Sequence, residues 1–272
     1  MADFQPVEFY RSLIKSSFTL GVRNQLGDLL SLSVRNKSPE KWTKIVQQKS
    51  FHLNNLSHLS QAGYLKVKLP YGPQLARELC SLPYSGNGQK GSGGRTETEP
   101  LAGVQQLPLV QRLISDPSLY SLVSLYLGAP AHLHTCQAWW QYPMGSEHKP
   151  SNAQLWHRDR DDLSEVKLFF YATNVDARSG PHSFIPCSHT LHGLESIFPK
   201  HSLDNEIING SLNSFVDDSF FDDHGLKGTF KVWLGPAGTC FLEDTRGFHR
   251  ARIPSDQPRL ILSLVWTVGP GF

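Results

Sequence analysis

Apolar and polar positions change rhythm about halfway along the chain. Over Val7–Leu20 and Val22–Val34, apolar residues recur at roughly helical spacing. Leu53, Leu56, Leu59 and Ala62 repeat the pattern until Gly63, which stops it as a C-terminal glycine does. Tyr64–Leu69 alternates like a short strand, while Gln74–Leu82, Leu107–Ile114 and Leu119–Leu127 read as helices, the last ending at Gly128. Ser85–Pro100 (SGNGQKGSGGRTETEP) has no period and no Walker pattern, so it reads as a surface loop rather than a phosphate cradle. From about Ala131, short β-prone runs alternate with Gly, Pro, Asn and Asp turns: His132–Tyr142, Val166–Asn174, Ser183–Pro186, Thr229–Leu234, Gly238–Glu243 and Arg259–Val268. No helix-length crossover separates most of these runs, which predicts a mainly antiparallel sheet. Pro199–Lys227, with Asp217, Asp218, Asp222, Asp223 and His224, reads as a solvated lid or insertion.

Composition narrows the classes. Hydrophobic residues make up 39% and charged residues 18% of 272, which supports a packed core. Lys and Arg number 26 against 24 Asp and Glu, so there is no basic field to hold nucleic acid or an anionic membrane. Cys80, Cys136, Cys187 and Cys240 form no C-x-x-C pair, which argues against a thiolate zinc site, a dithiol redox motif and a disulfide framework. The longest uncharged stretch, Pro117–Ser146, contains Gly128, Pro130, His132 and His134 and is unfit to span a bilayer. The first ten residues carry acids and no apolar run, so no signal peptide is expected. The expectation is a soluble, cytoplasmic protein without nucleic-acid or membrane partners.

The candidate chemistry lies in Trp156-His157-Arg158-Asp159 and in His249, ninety positions after the aspartate. Two imidazoles and one carboxylate on a β scaffold can form a facial triad around Fe(II), leaving positions for a chelating keto-acid and dioxygen. On an extended strand, residues two apart point the same way, so His157 and Asp159 can reach one metal. Spacing alone leaves Asp161 open as the acid, and zinc sites use the same donor types. Arg259 opens the apolar run Leu260–Trp266, sharing a face with Ile261, Ser263 and Val265, and small Ser263 leaves room for a ligand. A strand-rooted arginine can grip a carboxylate through a bidentate pair, or it can be a strand-edge charge in an ion pair. His132 and His134 share a face. His182, His189 and His192 sit near turns, where hydrogen bonding is the simpler role.

The order of these segments, WHRD, then NVDARSGPHSFIPCSH, then GPAGTCFLEDTRGFHRARIPSDQPRLILSLVW, resembles the phytanoyl-CoA dioxygenase family of Fe(II)- and 2-oxoglutarate-dependent oxygenases. The resemblance spans about Leu53 to Val268 and is most specific from Gln154 onward. It implies a double-stranded β-helix (jelly-roll, cupin-like) core with an N-terminal helical layer: residues 1–52 as a helical extension and 53–272 as the oxygenase unit, one domain overall. It implies that His157, Asp159 and His249 bind Fe(II), and that Arg259 binds the far carboxylate of 2-oxoglutarate. Cofactor contacts are implied on the preceding strand, where Gln137, Trp139 and Gln141 share a face. Gln141 stands where some relatives have lysine, Ala251 where many have a hydroxyl, and Cys187 where the P-G-S-H turn has glycine. The carboxylate of Asp159 points away from halogenation and toward hydroxylation or another oxidation of a small molecule, with 2-oxoglutarate going to succinate and CO2. The alternatives are an inactive metal- or ligand-binding relative on the same fold, and a zinc-dependent hydrolase.

Overall fold

A computed structural model of the chain describes residues 20–90, 96–145, 147–159, 162–197, 215–223 and 230–269. The Val7–Leu20 helix, apart from its last residue, lies outside these. Three helices come first: α1 (Leu20–Lys37), α2 (Pro39–Val46) and α3 (Lys49–Ala62). Gly63 ends α3 at φ 82°, its N–H donating 2.8 Å to the Leu59 carbonyl. A Cβ here would come within 2.6 Å of His189 Nδ1 and 2.8 Å of Phe184, so both conformation and space require glycine. After α4 (Gly72–Cys80) and α5 (Pro108–Ile114), α6 (Pro117–Leu127) is capped by Asp116, which accepts from the Leu119 N–H at 2.8 Å, and closes on left-handed Gly128.

The strands are β1 (Tyr64–Val67), β2 (Gln89–Lys90), β3 (Thr96–Pro100), β4 (His132–Gln141), β5 (Glu165–Tyr171), β6 (His182–Phe184), β7 (Lys231–Val232), β8 (Cys240–Glu243), β9 (His249–Ala251) and β10 (Arg259–Thr267). They form a seven-stranded sheet, β1-β8-β5-β10-β4-β3-β2, and a three-stranded sheet, β7-β6-β9; all the pairings are antiparallel. The chain is mainly β, as the turn-rich second half predicts. The Ser85–Pro100 reading needs correction. Thr96–Pro100 pairs its backbone with Trp139–Gln141, and Gln89–Lys90 pairs with Thr96 and Thr98. The β2–β3 hairpin at the margin of the sheet owes its place to backbone hydrogen bonds, so a polar run without periodicity can supply it.

Both faces of the large sheet are covered. Leu168, Leu242, Leu260, Leu262 and Leu264 point to the helices and join one buried cluster with Leu59, Leu75, Leu79 and Val123. Each fully buried leucine contributes roughly 1.5–3 kcal/mol. α1 and α3 contribute Val34 and Leu59 to that cluster. On the opposite face, Phe169, Tyr171, Phe241 and Ile261 pack with Trp233, whose ring stacks on Phe241 at 4.1 Å. The small sheet lies over this face: the His182 ring on β6 sits 4.6 Å from that of Phe169 on β5. The space between the sheets holds the candidate site.

Candidate metal centre

His157 and Asp159 do not lie on a regular strand, contrary to the expectation from their spacing. His157 makes a single antiparallel bridge to His249 at the start of β9, with N–H to carbonyl distances of 3.0 and 2.9 Å in the two directions. The Asp159 N–H then donates to the Thr245 carbonyl at 2.8 Å. The segment is still extended, so the two side chains keep the same-side geometry of a strand. Its outer flank is anchored by Trp156, which is buried, bridges Val216, and donates its indole N–H to Asp218 at 3.0 Å. Asp218 also pairs with Arg250 at 2.8 Å, so this acid of the 199–227 stretch is a docking point rather than a purely solvated charge. Residues 199–214 and 224–227 of that stretch lie outside the described residues.

The two imidazoles are held alike. His157 Nδ1 lies 2.9 Å from the Leu155 carbonyl, and His249 Nδ1 lies 3.0 Å from the Gly247 carbonyl. A carbonyl only accepts, so each Nδ1 carries the proton and each Nε2 keeps a free lone pair. Both Nε2 atoms face Asp159, at 3.5 and 3.3 Å, and one donor atom from each of the three residues lies within 4.8 Å of the others. A fixed tautomer with the coordinating nitrogen turned inward is the arrangement metal-ligating histidines adopt. Asp161, the other acid left open by spacing, lies outside the described residues.

Two charged residues that the sequence reading passed over complete the setting. Lys167 on β5 places Nζ 2.7 Å from Asp159 Oδ2, the oxygen that His249 Nε2 also faces. Burial by itself would push the Asp159 carboxyl up, but the positive charge beside it, with the Lys167 ammonium the cation that neutral imidazoles leave in place, holds it well below the usual carboxylate range. Burial lowers His249, which favours the neutral ligand form. His182, read as a turn residue, is buried on β6; its ring stacks at 5.6 Å on that of His249, and its Nε2 meets Glu243 Oε1 at 2.7 Å. Burial raises the Glu243 carboxyl to about 8 and pushes His182 well below its ordinary value. The pair therefore shares one proton as neutral acid and neutral imidazole, the form a low-dielectric interior prefers. The sequence does carry a signal for two of these residues: Lys167 interrupts the otherwise apolar run Val166–Tyr171, and Glu243 ends the apolar run Cys240–Leu242.

Arg259 is buried and faces the same side as Ile261 and Ser263. Among the described residues it has no carboxylate partner, so the strand-edge ion pair does not occur. Its guanidinium donates instead to the Gly180 carbonyl and to Gln141 Oε1, while its Nε is buried without a partner. Gln141 lies opposite Arg259, Trp139 opposite Ile261 and Gln137 opposite Ser263 in the β4–β10 register, so the three residues expected on one face are there. His157, Asp159, His249, Lys167, His182 and Arg259 all line one cavity of about 340 Å³, and Gln137, Trp139 and Ala251 border it. Of the other histidines, His134 reaches this cavity, His132 is exposed, and His189 Nε2 donates 3.0 Å to the Ser60 carbonyl.

No protein-family model and no curated protein matches the chain. Solved structures do. EctD from S. alaskensis with bound Fe is similar at 15% identity over 79% of this chain and 75% of that one, with a TM-score of 0.53. The non-heme alpha-ketoglutarate-dependent epimerase SnoN from nogalamycin biosynthesis is similar at 19% identity over 80% and 83%, TM-score 0.51. The carbocyclase SnoK from the same biosynthesis is similar at 15% over 78% and 82%, TM-score 0.51. What they share with this chain is the fold. It is the mainly antiparallel, cupin-like jelly-roll core with added helices. No described helix is long and apolar enough to cross a membrane.

Proposed function

We propose that the chain is a non-haem Fe(II)- and 2-oxoglutarate-dependent dioxygenase, of the kind the phytanoyl-CoA dioxygenase family represents, that hydroxylates or otherwise oxidises a C–H bond of a small molecule. The observation that carries this reading is the convergence of His157 Nε2, Asp159 and His249 Nε2 on one point of a cavity that also holds Arg259. The donor set fits ferrous iron: two neutral imidazoles with their outer nitrogens tied back, and a carboxylate kept ionised. The orphaned Nε of Arg259 fits the co-substrate, because a buried donor without a partner is costly and a carboxylate would satisfy it. EctD was crystallised with 2-oxoglutarate, and SnoN with Fe3+ and alpha ketoglutarate.

In this reading His157, Asp159 and His249 hold the metal and Arg259 binds the far carboxylate of 2-oxoglutarate. Gln141 and the Gly180 carbonyl fix the plane of the guanidinium. Lys167 orients Asp159 through Oδ2, and the His182–Glu243 pair packs His249 from behind. Phe169, Ile261 and Trp139 exclude water from the chamber. The bound metal and 2-oxoglutarate supply the oxidising chemistry with dioxygen, the co-substrate leaving as succinate and CO2.

A titration of the anaerobic Fe(II) protein with 2-oxoglutarate tests this: a charge-transfer band should grow, and N-oxalylglycine should inhibit succinate formation. Turnover of 2-oxoglutarate that survived His157→Ala would overturn the ligand assignment. The Lys167–Asp159 ion pair gives some weight to a second reading, a relative in which the ammonium stands in for the metal and no 2-oxoglutarate is consumed. Iron content after anaerobic purification separates the two.

A further inference from the structure

Beside the metal chamber lies a larger cleft of about 740 Å³, within the size range of small-molecule sites. The two are continuous: Gln137, Trp139, Ala153 and Ala251 line both. The chemistry of their walls differs. The chamber carries the cations Lys167 and Arg259, which suit an anionic co-substrate. The cleft mixes apolar residues such as Leu101, Val104 and Trp139 with the amides Gln105, Gln106, Gln137, Asn152 and Gln154, and the single formally charged side chain lining it among the described residues is Glu97.

Resting on the oxygenase reading, we infer that the prime substrate is a neutral or cationic polar molecule bearing hydroxyl, amide or ammonium groups, and not an acyl-CoA or another anion. Among the described lining residues a phosphate or carboxylate brought into this cleft would lose its water without meeting a cation and would approach Glu97, so its desolvation would go uncompensated there. Hydroxyl and ammonium groups have the opposite experience. Each primary amide offers two donors and an acceptor, and Glu97 offers acceptors. Glu97 is held in place: Gln154 Nε2 donates to its Oε1, the side-chain Oε1 of Gln154 accepts from Ser151 N–H at 2.9 Å, and His148 Nε2 lies 4.0 Å from Glu97 Oε2. Trp139, partly exposed where the two spaces meet, supplies a flat face for a sugar ring's C–H groups or for an ammonium. A ligand seated on Trp139 with its polar body in the cleft extends one end toward His157, Asp159 and His249.

The test is ligand-observed NMR on the anaerobic protein with Fe(II) and 2-oxoglutarate. The probes are three matched sets: amino sugars and amino alcohols, neutral sugars and N-acetyl sugars, and anions comprising sugar phosphates, fatty acids and short acyl-CoA esters. Binders should concentrate in the first two sets. Glu97→Gln should weaken the cationic binders about tenfold, and Glu97→Lys should abolish them and admit anions. The 2-oxoglutarate charge-transfer band should be unchanged in both variants. Binders concentrated among the anions, no binder in the cationic and neutral sets, or binding indifferent to both Glu97 variants would each overturn the inference. Failure of the oxygenase reading would look different: no band with 2-oxoglutarate, whatever the probes do.

Discussion

Toward the helices, β5 and β10 present Val166, Leu168 and Phe170, and Leu260, Leu262 and Leu264; toward the small sheet, the same two strands present Lys167, Phe169 and Tyr171, and Arg259, Ile261, Ser263 and Val265. Every residue of both strands is buried. Burial is thus the same on the two faces while its use is opposite. The helix side is uniform and apolar, and its energy scales with the area removed from water. The inner side spends part of that stability on buried charged and polar groups: the Lys167 ammonium meets Asp159, the Arg259 guanidinium meets Gln141 and Gly180, and the protonated Glu243 carboxyl meets His182. A strand's period of two is what lets one segment serve packing and chemistry at once.

Substitutions on either side test this division. The largest effect is expected from His157→Ala, which should reduce bound iron to background and abolish 2-oxoglutarate turnover while far-UV circular dichroism stays that of the parent. Next is Leu262→Ala on the helix face, which should cost about 2–5 kcal/mol in denaturant unfolding and leave iron stoichiometry intact. If Leu262→Ala instead emptied the metal site, the two faces would not be separable. Arg259→Gln should retain iron but raise the KM for 2-oxoglutarate by about 10- to 100-fold, the worth of a charge-assisted hydrogen bond.

The smallest effect concerns Glu243. Its folded carboxyl, raised to about 8, keeps a proton that the unfolded chain releases near pH 4.3, so this group stabilises less and less as pH climbs between those values. Glu243→Gln keeps a donor toward His182 without titrating. Its melting temperature relative to the parent should rise by several degrees between pH 5 and pH 8. Parallel profiles would mean that Glu243 is already ionised in the folded protein.

Much of the fold is legible in the chain because it rests on local rules. The helices ending at Gly63 and Gly128, the antiparallel strand-turn succession and the shared face of Gln137, Trp139 and Gln141 follow from periodicity and from glycine's backbone freedom. β3 and the short β9 are not legible in the chain because neither carries a periodic apolar signal of its own, whereas α2 does carry one, with Trp42, Ile45 and Val46 at helical spacing after Ser38-Pro39. The spacing of His157 and Asp159 points at one metal, and their donor atoms do meet His249, yet through an isolated bridge and a loop rather than the regular strand expected.

The order of residue types along the chain sets, through its period, which way most side chains turn. It could not say who meets whom across ninety residues. That His182 lies against His249, that Lys167 reaches Asp159, that Arg259 finds Gln141, and that Glu97 is the charged residue among the described lining of the cleft all depend on two sheets closing over one another. Those contacts are long-range in sequence, and only the closed fold removes the water that would otherwise screen them.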